Sequence, residues 1–120
     1  MVGRFVKEKG YLDLLEAFKI VKSKNLHAIL LLVAPLDKEK YDALDYNILK
    51  EYRLENDIIL LGDKGEITNI EQIYSLMDIF VLPATWREGF GLSIVEAMAC
   101  EIPVIVNNIW ALNVLIRNGV

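Results

Sequence analysis

Residues 78–106 read DIFVLPATWREGFGLSIVEAMACEIPVIV, and the fold turns on how this stretch is parsed. Ile79–Leu82 (IFVL) is a short apolar run stopped by Pro83, the pattern of a strand buried on both faces. Leu92–Cys100 is an apolar, helix-like run, and Pro103–Val106 (PVIV) is another strand-like one. Strand, loop, helix, strand is a β-α-β unit, whose strands lie parallel in one sheet. The loop Trp86–Leu92 then falls at the carboxyl end of the first strand, where open α/β sheets bind their ligands. It holds Gly89 and Gly91, and Glu88 is separated from Glu96 by seven residues.

Outward from this unit the same alternation continues. Leu12, Leu15, Phe18 and Val21 fall at helical spacing, which predicts an amphipathic helix over Tyr11–Lys24. Ala28–Val33 (AILLLV) and Ile58–Leu61 (IILL, ended by Gly62) predict two more strands buried on both faces. Tyr41, Leu44, Ile48 and Tyr52 suggest a helix over Lys38–Leu54, and Asn69 is placed to cap a short helix running through Met77. Trp110–Arg117 reads as a further helix, with Asn118-Gly119 as its stop signal. Helices alternating with buried strands predict an α/β class, a Rossmann-like doubly wound parallel sheet. Met1-Val2-Gly3 resembles the tail of a strand, and an α/β domain would continue beyond Val120, so the unit reads as truncated at both ends.

Composition excludes several functions. The 120 residues suit one domain, and 54% apolar content supplies a core. A net charge of −4, with no basic run, argues against nucleic-acid binding. One cysteine and one histidine cannot form a disulfide scaffold or a zinc cluster, and no Asp-x-Asp pair offers a metal clamp, so no metal is expected. The longest apolar run, Ala28–Leu36, falls well short of the roughly 20 residues that span a bilayer. With no signal-peptide pattern at Met1–Arg4, a cytoplasmic location is the expectation.

Two segments carry candidate chemistry. Ser93-x-x-Glu96 ahead of an apolar run is the pattern of a capping box, on which reading Glu96 satisfies a backbone N–H. That leaves Glu88 and the glycine pair unaccounted for. A glycine-rich loop leading into a helix offers free N–H groups and the positive end of the helix dipole, which suits a phosphate. The second segment is Gly3-Arg4-Phe5-Val6-Lys7-Glu8-Lys9-Gly10, at a strand end before a helix. Arginine presents a fixed fork of donors to phosphate, and lysine adds a point charge. A solvated basic loop is the plainer reading, and it loses weight because this loop shares a sheet edge with Trp86–Leu92. His27 reads as structural or solvent-facing and Cys100 as packed. No Gly-x-Gly-x-x-Gly turn supports a dehydrogenase.

GRFVKEKG together with DIFVLPATWREGFGLSIVEAMACEIPVIV resembles the C-terminal, donor-binding domain of the GT-B glycosyltransferases of family 4. Glu-x7-Glu is that family's signature, flanked here by EGFGL and EAMAC, and the likeness covers nearly the whole chain. It implies that residues 1–120 form part of a nucleotide-sugar-binding domain, with an acceptor-binding N-terminal domain elsewhere. Arg4 and Lys9, beside Gly3, match the residues that hold the donor diphosphate. Glu88 matches the glutamate that contacts the transferred sugar, and Glu96 the one that takes the ribose hydroxyls. Gly89 and the backbone N–H groups of Phe90, Gly91 and Leu92 would face sugar and phosphate, and the Gly62-Asp63 turn would border the base.

The resemblance further implies retaining, metal-independent transfer without a cofactor. The donor would be a UDP- or GDP-linked sugar and the acceptor a saccharide or lipid-linked molecule, as in bacterial polysaccharide biosynthesis. Any membrane association would be peripheral and belong to the whole enzyme. By itself the unit is expected not to turn over. A second reading makes it a non-catalytic donor-binding half needing a partner subunit, or an inactive remnant. The family usually has Gly-Thr-Pro where this chain has Glu101-Ile102-Pro103, and a Gly-Gly pair followed by Pro-Glu where it has Trp110–Val114.

Overall fold

A computed structural model describes residues 1–62, 67–85 and 91–109. Its helices are α1 (Tyr11–Lys24), α2 (Ile48–Glu51), α3 (Ile70–Tyr74) and α4 (Leu92–Ala99), alternating with strands β1 (Leu30–Val33), β2 (Ile58–Leu61), β3 (Phe80–Leu82) and β4 (Val104–Val106). β1 pairs with β2 in parallel, from Leu30 beside Ile58 to Val33 beside Leu61. β3 pairs with β4 in parallel, from Phe80 beside Val104 to Leu82 beside Val106. Met1–Gly3 lies along the other edge of β1. Val2 bridges Val33 in parallel, Val33 donates its N–H to the Met1 carbonyl at 3.0 Å, and Gly3 donates to the Val33 carbonyl at 2.9 Å. This pairing agrees with the sequence reading of Met1-Val2-Gly3 as the tail of a strand, and sets it beside β1.

α1 forms as read, but its buried face is turned from the expected stripe: Leu15 and Phe18 are buried, Leu12 is half-buried and Val21 is 47% exposed. In α1, Tyr11, Leu14, Leu15 and Phe18 are buried, the i, i+3, i+4, i+7 stripe of an amphipathic helix. They join Leu30, Leu32, Phe80 and Leu82 from the strands and Ile94 and Ala97 from α4 in one apolar core. α4 lies against both β3 and β4. The strands are not all buried on both faces as their apolar runs suggest. Ile59 in β2 and Ile105 in β4 are 49% and 56% exposed, so among the described residues one face of each pair is left partly open.

The helix read over Lys38–Leu54 shrinks to the single turn Ile48–Glu51. Its first half is diverted into long-range bonds. Lys7 donates its N–H to the Asp42 carbonyl at 3.0 Å, Leu44 donates to the Phe5 carbonyl at 2.9 Å, and Val6 bridges Ala43 antiparallel. Asp45 Oδ1 accepts the Asn47 N–H at 2.8 Å, a local bond that competes with a helix. The third helix is also shorter than read. It stops at Tyr74, and Asn69 occupies its N-cap position without a side-chain cap bond. The helix expected over Trp110–Arg117 lies outside the described residues.

α4 closes with a Schellman motif: Glu101 donates its N–H to the Met98 carbonyl at 2.9 Å, and Ile102 donates to the Ala97 carbonyl at 3.1 Å. The motif needs a left-handed residue, and Glu101 takes it with φ 60°. α2 ends in the same way, with Arg53 at φ 56° and buried Leu54 donating to the Leu49 carbonyl. Both positions ordinarily favour glycine.

Candidate nucleotide-sugar site

The loop from Gly3 to Gly10 is held from three sides. Gly10 has φ 81°, and a Cβ there would stand 1.8 Å from the Pro83 carbonyl oxygen. Only glycine lets the loop approach the end of β3 this closely. Beside it, the Glu8 carbonyl accepts the Thr85 N–H at 3.0 Å. From the segment after β1, the buried Asp42 accepts the Glu8 N–H on Oδ2 at 2.9 Å, which caps the 3-10 turn Lys7–Lys9. From α1, the buried Tyr11 donates its hydroxyl to the Gly3 carbonyl. Burial, and then the neighbouring Tyr46, push the Tyr11 hydroxyl well above its ordinary range, so it remains a donor at any physiological pH.

Arg4 and Lys9 project from this fixed frame. Arg4 Nη1 pairs with Asp37 Oδ2 at 2.8 Å, with the arginine side chain 45% exposed. The aliphatic stem of Lys9 lies over Gly3, its Cδ 3.7 Å from where a Cβ would stand, and Lys9 is itself engaged. Gly62 sits at the end of β2 with φ 101°, packed against Pro35 at the end of β1. The Pro35 carbonyl accepts the Phe5 N–H at 2.9 Å, so Gly62 and the loop meet through one residue.

The mouth of α4 is organised differently. Gly91 is the N-cap, at φ 69° and ψ 46°, and among the described residues no side chain caps the helix. The Gly91 carbonyl accepts the N–H groups of Ile94 and Val95. Ser93 lies inside the helix, so the capping box read from Ser-x-x-Glu does not form. Glu96 is engaged elsewhere: its Oε2 accepts the hydroxyl of Tyr74 at 2.7 Å. Tyr74 is 1% exposed. Burial first, and then the bond to Glu96 and its charge, raise this phenol far above its ordinary pKa of 10.0. The carboxylate therefore faces a permanent donor.

The structure thus gathers Gly3, Arg4, Lys9 and Gly62 around the carboxyl ends of β1–β3, and sets Gly91, Leu92 and Glu96 on the helix that enters from the end of β3. Asp63, Glu88, Gly89 and Phe90 lie outside the described residues. Cys100, read as packed, is exposed at the C-cap of α4; His27 is exposed, as read. Sequence reasoning missed Asp37, Asp42 and Tyr74. Tyr74 occupies an apolar slot in a short helix, and nothing local marks its hydroxyl as a partner for Glu96.

Two parallel strand pairs alternating with helices, a basic loop at the strand ends and a glycine-led helix beside it define the Rossmann-like α/β class. The family model for glycosyl transferases group 1 matches residues 1–120, and the chain belongs to that family. It is 36% identical over 119 residues to a capsular polysaccharide biosynthesis glycosyltransferase of Staphylococcus aureus, covering 98% of this chain and 30% of that protein. It is 37% identical over 118 residues to the UDP-Gal:α-D-GlcNAc-diphosphoundecaprenol α-1,3-galactosyltransferase of Escherichia coli, with 98% and 30% covered. An N-acetyl-α-D-glucosaminyl L-malate synthase of Bacillus anthracis is 27% identical over 118 residues, with 98% of this chain and 29% of that protein covered. The chain spans about three-tenths of the length of these relatives. Among the described residues, no helix is long and apolar enough to cross a membrane.

Proposed function

We propose that this chain supplies the donor-binding part of a retaining, metal-independent glycosyltransferase of bacterial polysaccharide biosynthesis. It binds a UDP- or GDP-linked sugar and works in the cytoplasm with an acceptor-binding domain that presents a saccharide or lipid-linked acceptor. The observation that carries this reading is the docking of Gly10 and Glu8 on Pro83 and Thr85, which fixes the Arg4–Lys9 loop at the strand end that leads into α4.

The chemistry follows from charge. Transfer of the sugar leaves a nucleoside diphosphate, so negative charge grows on phosphate in the transition state. Arg4, Lys9 and the start of α4 supply the donors on this reading, and each is worth about 3 kcal/mol, a factor of roughly a hundred in rate. The side of the sugar is assigned to Glu88 and the ribose to Glu96, so the two carboxylates are not the acid and nucleophile of a glycosidase. The leaving phosphate itself helps take the acceptor proton.

Titration calorimetry with UDP and GDP tests the binding half. One of them binds the wild type, and Arg4→Ala and Glu96→Ala each weaken it at least tenfold. Absence of binding to the wild type, or wild-type affinity in both variants, overturns the assignment. In the enzyme completed with its acceptor domain, Glu88→Ala abolishes transfer; unchanged transfer removes Glu88 from the site.

A further inference from the structure

We infer that Tyr74 is a positioning residue for Glu96. It fixes one carboxylate oxygen so that the other is presented to the ribose hydroxyls of the donor. The inference rests on the proposed donor site, and adds to it a residue from α3, an element to which the sequence assigned no part in binding.

Three observations carry it. The hydroxyl of Tyr74 stands 2.7 Å from Glu96 Oε2, a charge-assisted distance, and 3.2 Å from the Ser93 carbonyl. The carboxylate competes best for its one proton, so Glu96 is the main acceptor. The ring itself cannot shift: Tyr74 is fully buried at the end of α3, its ring centroid 5.9 Å from that of Phe80 in β3. Glu96 is only partly buried and, among the described residues, Tyr74 is its hydrogen-bond partner. A glutamate has three side-chain torsions to order before it can bind a diol. A rigid donor on Oε2 orders them in advance and leaves Oε1 for the ligand, the usual way a supporting residue sharpens a binding group. A ring serving only to fill space would need no hydroxyl here, and a buried hydroxyl without a partner would be costly.

The test compares Tyr74→Phe, which keeps the ring, with Glu96→Gln. Calorimetry measures UDP and GDP against their 2′-deoxy counterparts, so that the readout is discrimination of the ribose and not affinity alone. Both variants are expected to cut the preference for the ribose form about tenfold, the scale of one hydrogen bond to a charged group. Affinity for inorganic pyrophosphate stays unchanged. If Glu96→Gln loses the preference and Tyr74→Phe keeps it, Tyr74 only packs and the inference falls. The nucleotide-free protein gives a second reading by carbon NMR of the Glu96 side-chain carboxyl. Tyr74→Phe should move and broaden that signal. An unmoved signal overturns the positioning role even if no nucleotide binds, whereas a moved signal with no nucleotide bound keeps the contact and removes the donor-site reading instead.

Discussion

The two halves of the candidate site are built on opposite plans. The Gly3–Gly10 loop is anchored along its length: Asp42 at Glu8, Tyr11 at Gly3, Thr85 again at Glu8, and Gly10 pressed on Pro83. The mouth of α4 has a glycine where a capping side chain would stand, and its glutamate is held by a tyrosine from another helix. The loop carries cations on a stretch without long helical or strand structure, so its geometry must come from bonds to its neighbours. The mouth presents backbone N–H groups, whose geometry a helix already fixes, and among the described residues no side chain caps them. One half is held by bonds from several neighbouring elements, the other by a helix start and one side-chain partner for its glutamate.

That contrast ranks the mutations. The largest effect is expected from Gly10→Ala. A methyl group at φ 81° would fall 1.8 Å from the Pro83 carbonyl, which backbone cannot yield without undocking the loop. Strain and overpacking together cost about 3 kcal/mol or more, a drop in Tm of more than about 10 °C by calorimetry. A Tm within 2–3 °C of wild type (about 1 kcal/mol or less) would show that the loop is not pinned at β3. Asp42→Ala comes next. It leaves the partly buried Glu8 N–H without its acceptor, at about 1–2 kcal/mol in urea denaturation. Asp42 Oδ1 has no partner among the described residues, which offsets part of the loss. A neutral result would mean that the two terms cancel and that the cap is not what orders the loop.

These two residues also mark where sequence reading succeeds and where it fails. The strands were legible because parallel sheets demand continuous apolar runs, and Ile58–Leu61 matches to the residue. Tyr11–Lys24 was legible because its first half buries one helix face, through Tyr11, Leu14, Leu15 and Phe18. The glycines of the site announced themselves by type. Asp42 did not, since its partner Glu8 is 34 residues away and no local pattern encodes the contact. The same long-range bonds spoiled the helix read over Lys38–Leu54. Tyr41 and Leu44 fit a helical stripe, yet Tyr41 is 87% exposed and Leu44 is buried, because the chain there follows the loop and not its own ladder. Ser93-x-x-Glu96 misled for a related reason: a capping box and a buried tyrosine compete for one carboxylate, and the tyrosine wins where tertiary packing brings it within 2.7 Å.

The C-terminal end of α4 provides a smaller test. Glu101 holds a left-handed φ of 60° at a position where glycine carries no steric penalty. Glu101→Gly relieves that strain but loosens the unfolded chain, so the net gain is about 0.5–1 kcal/mol, or a few degrees in Tm. Glu101→Ala keeps the strain and should leave Tm near wild type. A gain in alanine as large as in glycine would assign the effect to lost charge and not to backbone.

The smallest effect is the one that tests the loop's purpose. Arg4 and Asp37 form an exposed pair, side chains 45% and 26% accessible. Such pairs contribute at most about 1 kcal/mol, and Asp37→Ala is expected to shift stability by less than about 0.5 kcal/mol. Its effect on a bound diphosphate has two opposed parts. Asp37 orders the guanidinium, and losing it makes Arg4 less ready. Asp37 is also a negative charge beside the phosphate, and two unit charges at 4 Å in water interact by about 1 kcal/mol. Because the pair is solvated and only weakly ordering, repulsion outweighs preparation. UDP or GDP should therefore bind Asp37→Ala a few-fold more tightly than wild type at low salt, with the difference fading as salt screens it. Weaker binding in the variant would reverse the ranking of the two terms. Arg4 would then resemble Glu96 as we infer it, a side chain that depends on a neighbour to hold it in place, and the two halves of the candidate site would share one plan after all.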